Sequence, residues 1–403
     1  MSVPKLRFKE FDGAWSETLF QDLFIFKNGV NASKEQYGSG IKFINVLDII
    51  NNPNGITYDS IIGSVNITSK EIDKNLVKYG DVLFQRSSET REEVGQSNVY
   101  LGKDPVVFGG FVIRGSAQKE YDPIFMNGLL KTDSLRDQIT QLSGGSTRFN
   151  IGQDSLNKVS AYLPLKEEQT KIASFLSAVD EKISQLTQKH ELLSQYKQGM
   201  MQKLFSQQFR FKADDGGEFG EWEETYLHTF LCESLIKGSK GNKAKKLTVK
   251  LWGKGVIPKN EAFQGSENTQ YYKRSAGQLI YGKLDFLNCA FGLIPEYLDG
   301  FESTIDAPAF DIDNKIVHPY FLINRFLQKD FYQKTGEEAD GSRKAKRINQ
   351  SVFLAMQIGL PSLEEQTKIA NFLSAIDQKI EVVAQQIEQA KTWKKGLLQQ
   401  MFV

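Results

Sequence analysis

Apolar residues recur at alternating steps of four and three along two long stretches of the chain. The first series is Ile172, Leu176, Val179, Ile183, Leu186, His190, Leu193, Lys197, Met200 and Leu204. The second series is Ile369, Leu373, Ile376, Ile380, Val383, Ile387, Ala390, Lys394, Leu397 and Met401. A heptad pattern of this length predicts a coiled coil rather than a helix of a globular domain. We predict that the first five positions of each series form its seam.

The two stretches are copies of each other. Residues 163–183 read LPLKEEQTKIASFLSAVDEKI and residues 360–380 read LPSLEEQTKIANFLSAIDQKI, with 16 of 21 positions identical at an offset of 197. Fainter matches precede them, since GDVLFQR at residues 80–86 resembles GQLIYGK at residues 277–283. An Arg-Phe-Lys triplet also opens each copy, at residues 7–9 and 210–212. The chain is therefore an internal duplication of a diverged module followed by a well-preserved helix.

Four segments follow from the duplication. We predict a first module at residues 1–162, a first helix at 163–206, a second module at 207–359 and a second helix at 360–403. Short β-rich runs in the modules are typical of strands. They lie at residues 42–46, 80–84, 106–108, 246–250, 278–281 and 309–311. With helical stretches at residues 123–140 and 319–331, the modules are predicted to be α+β, or mixed α/β.

Charge in the seam indicates the direction of the helix pair. A parallel pair would place Lys197 against Lys394, which is unfavourable for like charges. An antiparallel pair instead places Lys197 near Ile376 and Lys394 near Val179, so we predict an antiparallel coiled coil. About 40 residues at ~1.5 Å rise give a rod of roughly 60 Å, longer than one turn of B-DNA at ~34 Å. The alternative is a coiled coil that only dimerises the chain.

Composition places the chain among globular proteins, with 40% hydrophobic and 25% charged residues. Its first residues have no apolar core of a signal peptide, and no apolar run approaches the ~20 residues of a membrane-spanning helix. Two cysteines are too few for a disulfide framework. We therefore expect a soluble protein of the reducing cytoplasm.

Basic residues concentrate in the second module, although the formal net charge of the whole chain is only +1. Eight lysines and no acidic residue lie between Lys237 and Lys259, and a second cluster spans Arg343 to Arg347. Lysine runs are usually solvated loops, but two clusters in one module favour contact with phosphates. In the first module the basic and polar candidates are sparser, and the acidic residues Glu89, Glu92 and Glu93 lie beside them.

Signatures of catalysis are missing from the sequence. It contains no Gly-x-x-x-x-Gly-Lys-Ser/Thr phosphate loop, no Asn-Pro-Pro-aromatic methyltransferase tetrapeptide and no Gly-x-Ser-x-Gly elbow. The three histidines and two cysteines have no metal-ligand spacing. We therefore expect no catalytic residue, no metal and no cofactor in this chain.

The paired helical signature resembles the conserved regions of type I restriction–modification specificity subunits. GDVLFQRS from Gly80 and GQLIYGKLDF from Gly277 are similar to segments of their target-recognition domains, and the resemblance covers the whole chain. It implies that each module is a target-recognition domain that reads one half of an asymmetric bipartite DNA target, while the helices set the spacer. It also implies two modification subunits, which methylate adenine at N6 with S-adenosylmethionine, and two restriction subunits, which use ATP and Mg²⁺. Such partners would supply part of the DNA clamp that a near-neutral chain lacks.

The resemblance places recognition in the loops after Gly80 and Gly277 and in the loops at residues 144–148 and 341–347. The candidate DNA-binding residues are Arg86, Ser87, Ser88, Arg91, Ser146, Thr147, Arg148, Lys243, Lys245, Lys246, Lys250, Lys254, Lys283, Arg343, Lys344, Lys346 and Arg347. Two alternatives stay open at this point. One is a scaffold whose coiled coil organises protein partners, and the other is a self-contained restriction enzyme, against which the missing motifs argue.

Overall fold

The computed structural model describes residues 3–260, 265–335, 337 and 347–403. The chain forms two compact units, of which the first comprises residues 1–188 and 384–403 and the second comprises residues 189–383. Each long helix is therefore divided between the units, whereas the sequence-based division gave each helix a segment of its own.

The module of the first unit is built from short strands and short helices. Its strands are β1 (Ser16–Leu19), β2 (Phe24–Asn28), β3 (Tyr37–Ile44), β4 (Ser64–Val65), β5 (Val82–Gln85), β6 (Ser87–Ser88), β7 (Ser97–Val99), β8 (Val107–Phe108), β9 (Val112–Ala117), β10 (Phe149–Asn150) and β11 (Ser160–Leu163). Its helices are α1 (Phe20–Leu23), α2 (Val46–Asn51), α3 (Ser69–Asn75), α4 (Pro123–Leu129), α5 (Asp133–Gln141) and α6 (Gln153–Leu156). An antiparallel sheet in the order β2-β9-β5-β7 forms its centre.

A reciprocal cap ends the strand predicted at residues 42–46. Asn45 Oδ1 accepts a hydrogen bond from Leu47 N at 2.8 Å, and Asp48 accepts one from Asn45 N at 2.8 Å. This arrangement satisfies free amide groups at a helix start. β3 therefore ends at Ile44 and α2 begins at Val46, so the strand prediction was wrong for the last two residues.

The module of the second unit repeats this plan. Its strands are β12 (Glu223–Tyr226), β13 (Leu231–Glu233), β14 (Lys237–Lys240), β15 (Leu247–Val249), β16 (Val256–Pro258), β17 (Gln270–Lys273), β18 (Leu279–Tyr281), β19 (Phe291–Leu293), β20 (Glu302–Ser303), β21 (Ala309–Ile312) and β22 (Gln357–Leu360). The order β13-β21-β18-β19 matches β2-β9-β5-β7, and β12 pairs with β22 as β1 pairs with β11. Its short helices are α8 (Pro319–Phe326) and α9 (Gln350–Leu354). The helix predicted at residues 319–331 therefore ends earlier, and a π-helical turn follows at Asp330–Thr335.

The long helices are α7 (Lys166–Phe205) and α10 (Leu363–Met401), and their segments pair antiparallel inside each unit. In the first unit, Lys394 in the last third of α10 forms an ion pair with Asp180 in the first half of α7. In the second unit, Lys197 donates to both carboxylate oxygens of Asp377 at 2.7 Å. The antiparallel prediction is confirmed, and each seam lysine meets a carboxylate one residue beyond the predicted apolar neighbour.

The predicted seam residues also pack against the modules. Eight of the ten are buried, while Ile183 and Ile380 are half-buried. Ile172 and Leu176 share a core cluster with residues of the first module such as Phe125. Ile369 belongs to the corresponding cluster of the second module. The heptad residues in the first half of each helix therefore pack both against the other helix and against the core of the module that precedes them.

A buried ion pair fastens each module to the helix that follows it. Arg7 Nε and Nη2 each donate to Glu168 at 2.7 Å, and Arg210 makes the same two bonds to Glu365 at 3.0 and 2.8 Å. Glu168 is 2% exposed and Glu365 is 0% exposed. The repeated Arg-Phe-Lys triplet and the repeated Glu-Glu pair are therefore two halves of one contact, which joins the start of each copy to its helix.

The repeated glutamine beside each of these glutamates makes a second attachment. Gln169 Oε1 accepts from Asp122 N at 2.9 Å, immediately before α4. Gln366 Oε1 accepts from His318 N at 2.8 Å, immediately before α8. The preserved Glu-Glu-Gln sequence thus makes the same two contacts in both copies: one with the arginine that opens the module, and one with the backbone just before a module helix.

Candidate nucleic-acid interface

Backbone hydrogen bonds bring three loops of the first module together at Arg86. Arg86 N donates to Phe111 O at 2.8 Å, and Ile151 N donates to Arg86 O at 3.0 Å. β6 then pairs with β10, where Ser87 Oγ donates to Asn150 Oδ1 at 2.5 Å. The loop after Gly80 and the loop at residues 144–148 are therefore neighbours, as a shared binding surface requires.

Most of the predicted contact residues of the first module lie on the surface. Arg86, Arg91 and the three residues Ser146, Thr147 and Arg148 are exposed, and Ser87 is half-buried. Gly145 precedes the last three with φ of +119°, a conformation that favours glycine. Ser88 is different, because it is 7% exposed and its hydroxyl donates to Glu93 at 2.8 Å. The interpretation of Ser88 as a DNA-contacting side chain is therefore corrected to that of a loop-stabilising one.

The second module holds Lys283 in the same backbone frame. Lys283 N donates to Asp306 O at 2.9 Å, and Ile348 N donates to Lys283 O at 3.1 Å. Arg347, which precedes Ile348, donates from Nη2 to Asp306 Oδ1 at 2.6 Å. The structure therefore brings Lys283 and Arg347, from two of the predicted loops, together around Asp306. Arg343, Lys344 and Lys346 of the same predicted cluster lie outside the described residues.

Two of the predicted lysines are buried. Lys283 is 5% exposed, and its pKa is lowered chiefly by this burial, against the opposing effect of Asp306. It lines a cavity of ≈ 230 Å³ together with Asp306 and Lys259. Lys246 is 9% exposed, and its ammonium lies 5.5 Å from the centre of the Tyr271 ring. As folded, these two side chains are interior groups, and the prediction that they are DNA-binding residues is corrected accordingly.

The other predicted lysines of the basic run form an exposed surface around β15 and β16. Lys243, Lys245, Lys250 and Lys254 are all exposed. Trp252, 57% exposed with φ of +60°, stands in the turn between these two strands. Exposed cations beside an aromatic ring suit a phosphate backbone and its bases.

A cavity of the first module was not anticipated from the sequence. It measures ≈ 600 Å³ and is lined by Phe111, Leu47 and Ile62. These three side chains are 63%, 63% and 95% exposed. The signal available in the sequence was the Gly109-Gly110 pair before Phe111, since Gly-Gly dipeptides mark turns and loops. Arg86 Nη1 donates to Gly110 O at 3.4 Å, so the cavity adjoins the predicted recognition loops.

Across the described residues, no group of three or more His, Cys, Asp or Glu side chains is placed to hold a metal ion. Within that same part of the chain, no helix combines the length and the apolar character that crossing a membrane requires.

Comparison with known proteins decides the family. Residues 15–195 and 309–392 match the model of the type I restriction modification DNA specificity domain. The chain belongs to this family. The resemblance inferred from the repeated helix is thereby confirmed, and the chain is a DNA-specificity subunit rather than a catalytic subunit.

Related specificity subunits match nearly the whole chain. The putative type I restriction enzyme MjaX specificity subunit of Methanocaldococcus jannaschii is 24% identical, over 98% of this chain and 94% of the relative. The MjaVIII specificity subunit of the same organism is 26% identical, over 83% and 80% respectively. A solved specificity subunit from M. genitalium is 17% identical with a TM-score of 0.55, covering 100% of this chain and 99% of that one. A chain from a study of complex assembly and conformational transition of the type I R-M system has a TM-score of 0.59 at 15% identity, covering 97% and 98%. The predicted fold class, α+β modules with two long antiparallel helices, is confirmed by these likenesses.

Proposed function

We propose that each module of this specificity subunit reads one half of an asymmetric bipartite DNA sequence, and that the paired helices set the spacer between the halves. The observation that carries the proposal is the repeated frame at Arg86 and Lys283. The backbone hydrogen bonds around these positions are the same, while the side chains in and beside them differ in chemistry and in exposure. A preserved frame with diverged side chains suits two readers of different sequence.

The charge distribution supports DNA as the ligand of both surfaces. Exposed arginines line the loops of the first module, and exposed lysines surround Trp252 in the second. A net charge of +1 leaves the chain without a strong overall attraction to DNA, so partner subunits would supply further cationic surface.

The partners follow from the family and are also a proposal. We expect two modification subunits that use S-adenosylmethionine to methylate adenine at N6, and two restriction subunits that use ATP and Mg²⁺. The chain itself would supply sequence recognition and hold no cofactor. We place the assembly in the cytoplasm, because its substrate is the DNA of a cell and its two cysteines are free.

Methylation by the assembled complex tests this function. The chain is combined with its modification subunit, and methylated adenines are mapped in genomic DNA by single-molecule sequencing. We expect one bipartite sequence with different halves. Duplexes bearing that sequence are then compared with duplexes in which one half is scrambled or the spacer is longer by one base pair, and both changes should abolish methylation.

The same experiment distinguishes the proposed function from the alternative that the chain is only a scaffold for protein partners. If scrambling either half leaves methylation unchanged, sequence recognition does not reside in the modules and the proposal fails. If only one half matters, the module that reads the other half has been assigned wrongly. A spacer change without effect would refute the role of the paired helices as a ruler while leaving both readers in place.

A further inference from the structure

One backbone position accepts a hydrogen bond from the candidate recognition loop in both modules. Phe111 accepts the amide of Arg86, and Asp306 accepts the amide of Lys283. Sheet register shows that these acceptors are equivalent. Phe111 lies four residues before Gly115, which pairs with Val82, while Asp306 lies four residues before Phe310, which pairs with Leu279. Val82 and Leu279 in turn lie four residues before Arg86 and Lys283.

The side chains at this shared position have opposite chemistry. Phe111 is 63% exposed and lines its cavity with the exposed apolar residues Leu47 and Ile62 and with the amides Asn31 and Asn45. The Asp306 carboxylate and the Arg347 guanidinium form an ion pair whose side chains are 48% and 47% exposed. Beside its candidate recognition loop, the first module therefore presents the apolar ring of Phe111. The second module presents the acceptor carboxylate of Asp306 paired with the donor guanidinium of Arg347.

These two chemistries correspond to the two kinds of base pair in the major groove. The apolar mark of an A·T pair is the thymine 5-methyl group, which phenylalanine can contact. A G·C pair offers the cytosine amino donor, suited to aspartate, and the guanine O6 and N7 acceptors, suited to arginine. We propose that this position determines specificity in both modules, with Phe111 selecting an A·T pair and Asp306 with Arg347 selecting a G·C pair.

The two copies carry different side chains at this position, Phe111 and Asp306. This difference favours DNA rather than a protein partner as the ligand that contacts Phe111. Contacts common to both copies use residues that the duplication has kept, such as Arg7 and Arg210 with their glutamates. A surface for a partner common to both modules would be expected to keep its residues too. Phe111 and Asp306 instead differ while their backbone frame is kept, as expected where two modules read different half-sites. The inference rests on the proposed function and adds the residue that chooses the base pair.

Deoxyuridine tests the part of the proposal that concerns Phe111, because it differs from thymidine only by lacking the 5-methyl group. The complex with the modification subunit is assayed on duplexes in which each thymine of the first half-site is replaced in turn. For the wild type, one replacement should weaken binding roughly fourfold, the equivalent of ~0.8 kcal/mol for one buried methyl group. The Phe111→Ala complex should bind the thymidine and deoxyuridine duplexes equally at that position. Ile25→Ala, which removes another exposed apolar side chain of the same module, should keep the difference.

Asp306→Ala tests the second module. Its complex should lose discrimination at one G·C pair of the second half-site by about fivefold or more, while the first half-site stays as selective as in the wild type. Thermal unfolding of each variant, compared with the wild type, shows whether the fold is retained. Restoring an acceptor with Asp306→Glu should recover part of the discrimination.

Several results would overturn the inference. They are a first half-site without an A·T pair, a wild type that ignores every deoxyuridine replacement, and an Asp306→Ala complex with unchanged selectivity. If Phe111→Ala blocks assembly with the modification subunit while sequence preference is kept, Phe111 is a protein contact and its assignment fails. A wild-type complex without any bipartite preference refutes the proposed function as well, and this outcome is recognised before any variant is made.

Discussion

The ion pair between Arg210 and Glu365 provides a direct test of how each module is held to its helix. Glu365 is 0% exposed, and its two oxygens accept from Arg210 at 3.0 and 2.8 Å. These bonds raise the pKa of Arg210 above its ordinary value. Replacing Arg210 by methionine keeps most of the apolar stem and leaves a buried carboxylate without its cation.

Removing one partner of a buried pair costs about 3–5 kcal/mol, because the remaining charge has lost its water and its counter-ion. Arg210 keeps 22% of its side chain exposed, so we expect a value near the lower end, ~3 kcal/mol. Replacing both partners by apolar residues removes the isolated charge. The double variant Arg210→Met with Glu365→Leu should therefore recover most of the loss.

Hydrogen exchange measured by mass spectrometry reads this effect locally. Amides of β12 and β22, which pair beside the contact, should exchange at a free energy of opening lower by ~3 kcal/mol, while β1 and β11 of the first unit are the internal control. Arg7→Met is the matched variant in the first unit. It should lower the opening free energy of β1 and β11 and leave β12 and β22 unchanged. A loss below about 1 kcal/mol, or a double variant no more protected than Arg210→Met, would refute the reasoning.

Three further changes test other parts of the molecule. Burial, with nearby Lys394, lowers the pKa of Lys131 from 10.5 to about 7, so the unfolded chain holds this proton over a pH range where the folded chain releases it. The wild type should therefore gain thermal stability relative to Lys131→Met as the pH rises from 7 to 10, and parallel melting curves would contradict this. Gly29→Ala would place a Cβ 2.3 Å from Gly109 O, and should destabilise the first unit by about 1–3 kcal/mol in urea unfolding. Arg148→Ala should weaken binding of the assembled complex to its own target at least about fivefold without changing its melting temperature; unchanged affinity would remove Arg148 from the interface.

The helices could be predicted because their signal is local. Apolar steps of four and three specify a helix seam, and the like charges of Lys197 and Lys394 favour an antiparallel pair from the sequence alone. The attachment of modules to helices could not be read in the same way. Arg7 and Glu168 are separated by 161 residues, and nothing in either local pattern joins them. The available signal was their joint preservation in both copies of the repeat.

The candidate site could be predicted by loop but not by side chain. The spacing of the repeat identified the loops at Arg86 and Lys283 as equivalent, because the strands before them keep an offset of 197. Whether a lysine lies inside depends on which loops cover it, so the burial of Lys283 had no sequence signal. The equivalence of Phe111 and Asp306 was hidden because their strand has an offset of 195, owing to a connection two residues shorter in the second module.

The first unit draws on both ends of the chain, which has a consequence for the order of folding during synthesis. Phe402 lies in its core with Trp15 and Phe125, and Gln400 O accepts from Leu6 N at 2.8 Å. At the ~5–20 residues per second of translation, roughly 10 to 40 s separate residue 188 from residue 402. The second unit is contiguous and is complete before the first can close. A chain truncated after residue 383 would therefore contain every residue of the second unit, whereas the apolar core of the first would lack the last segment of its helix.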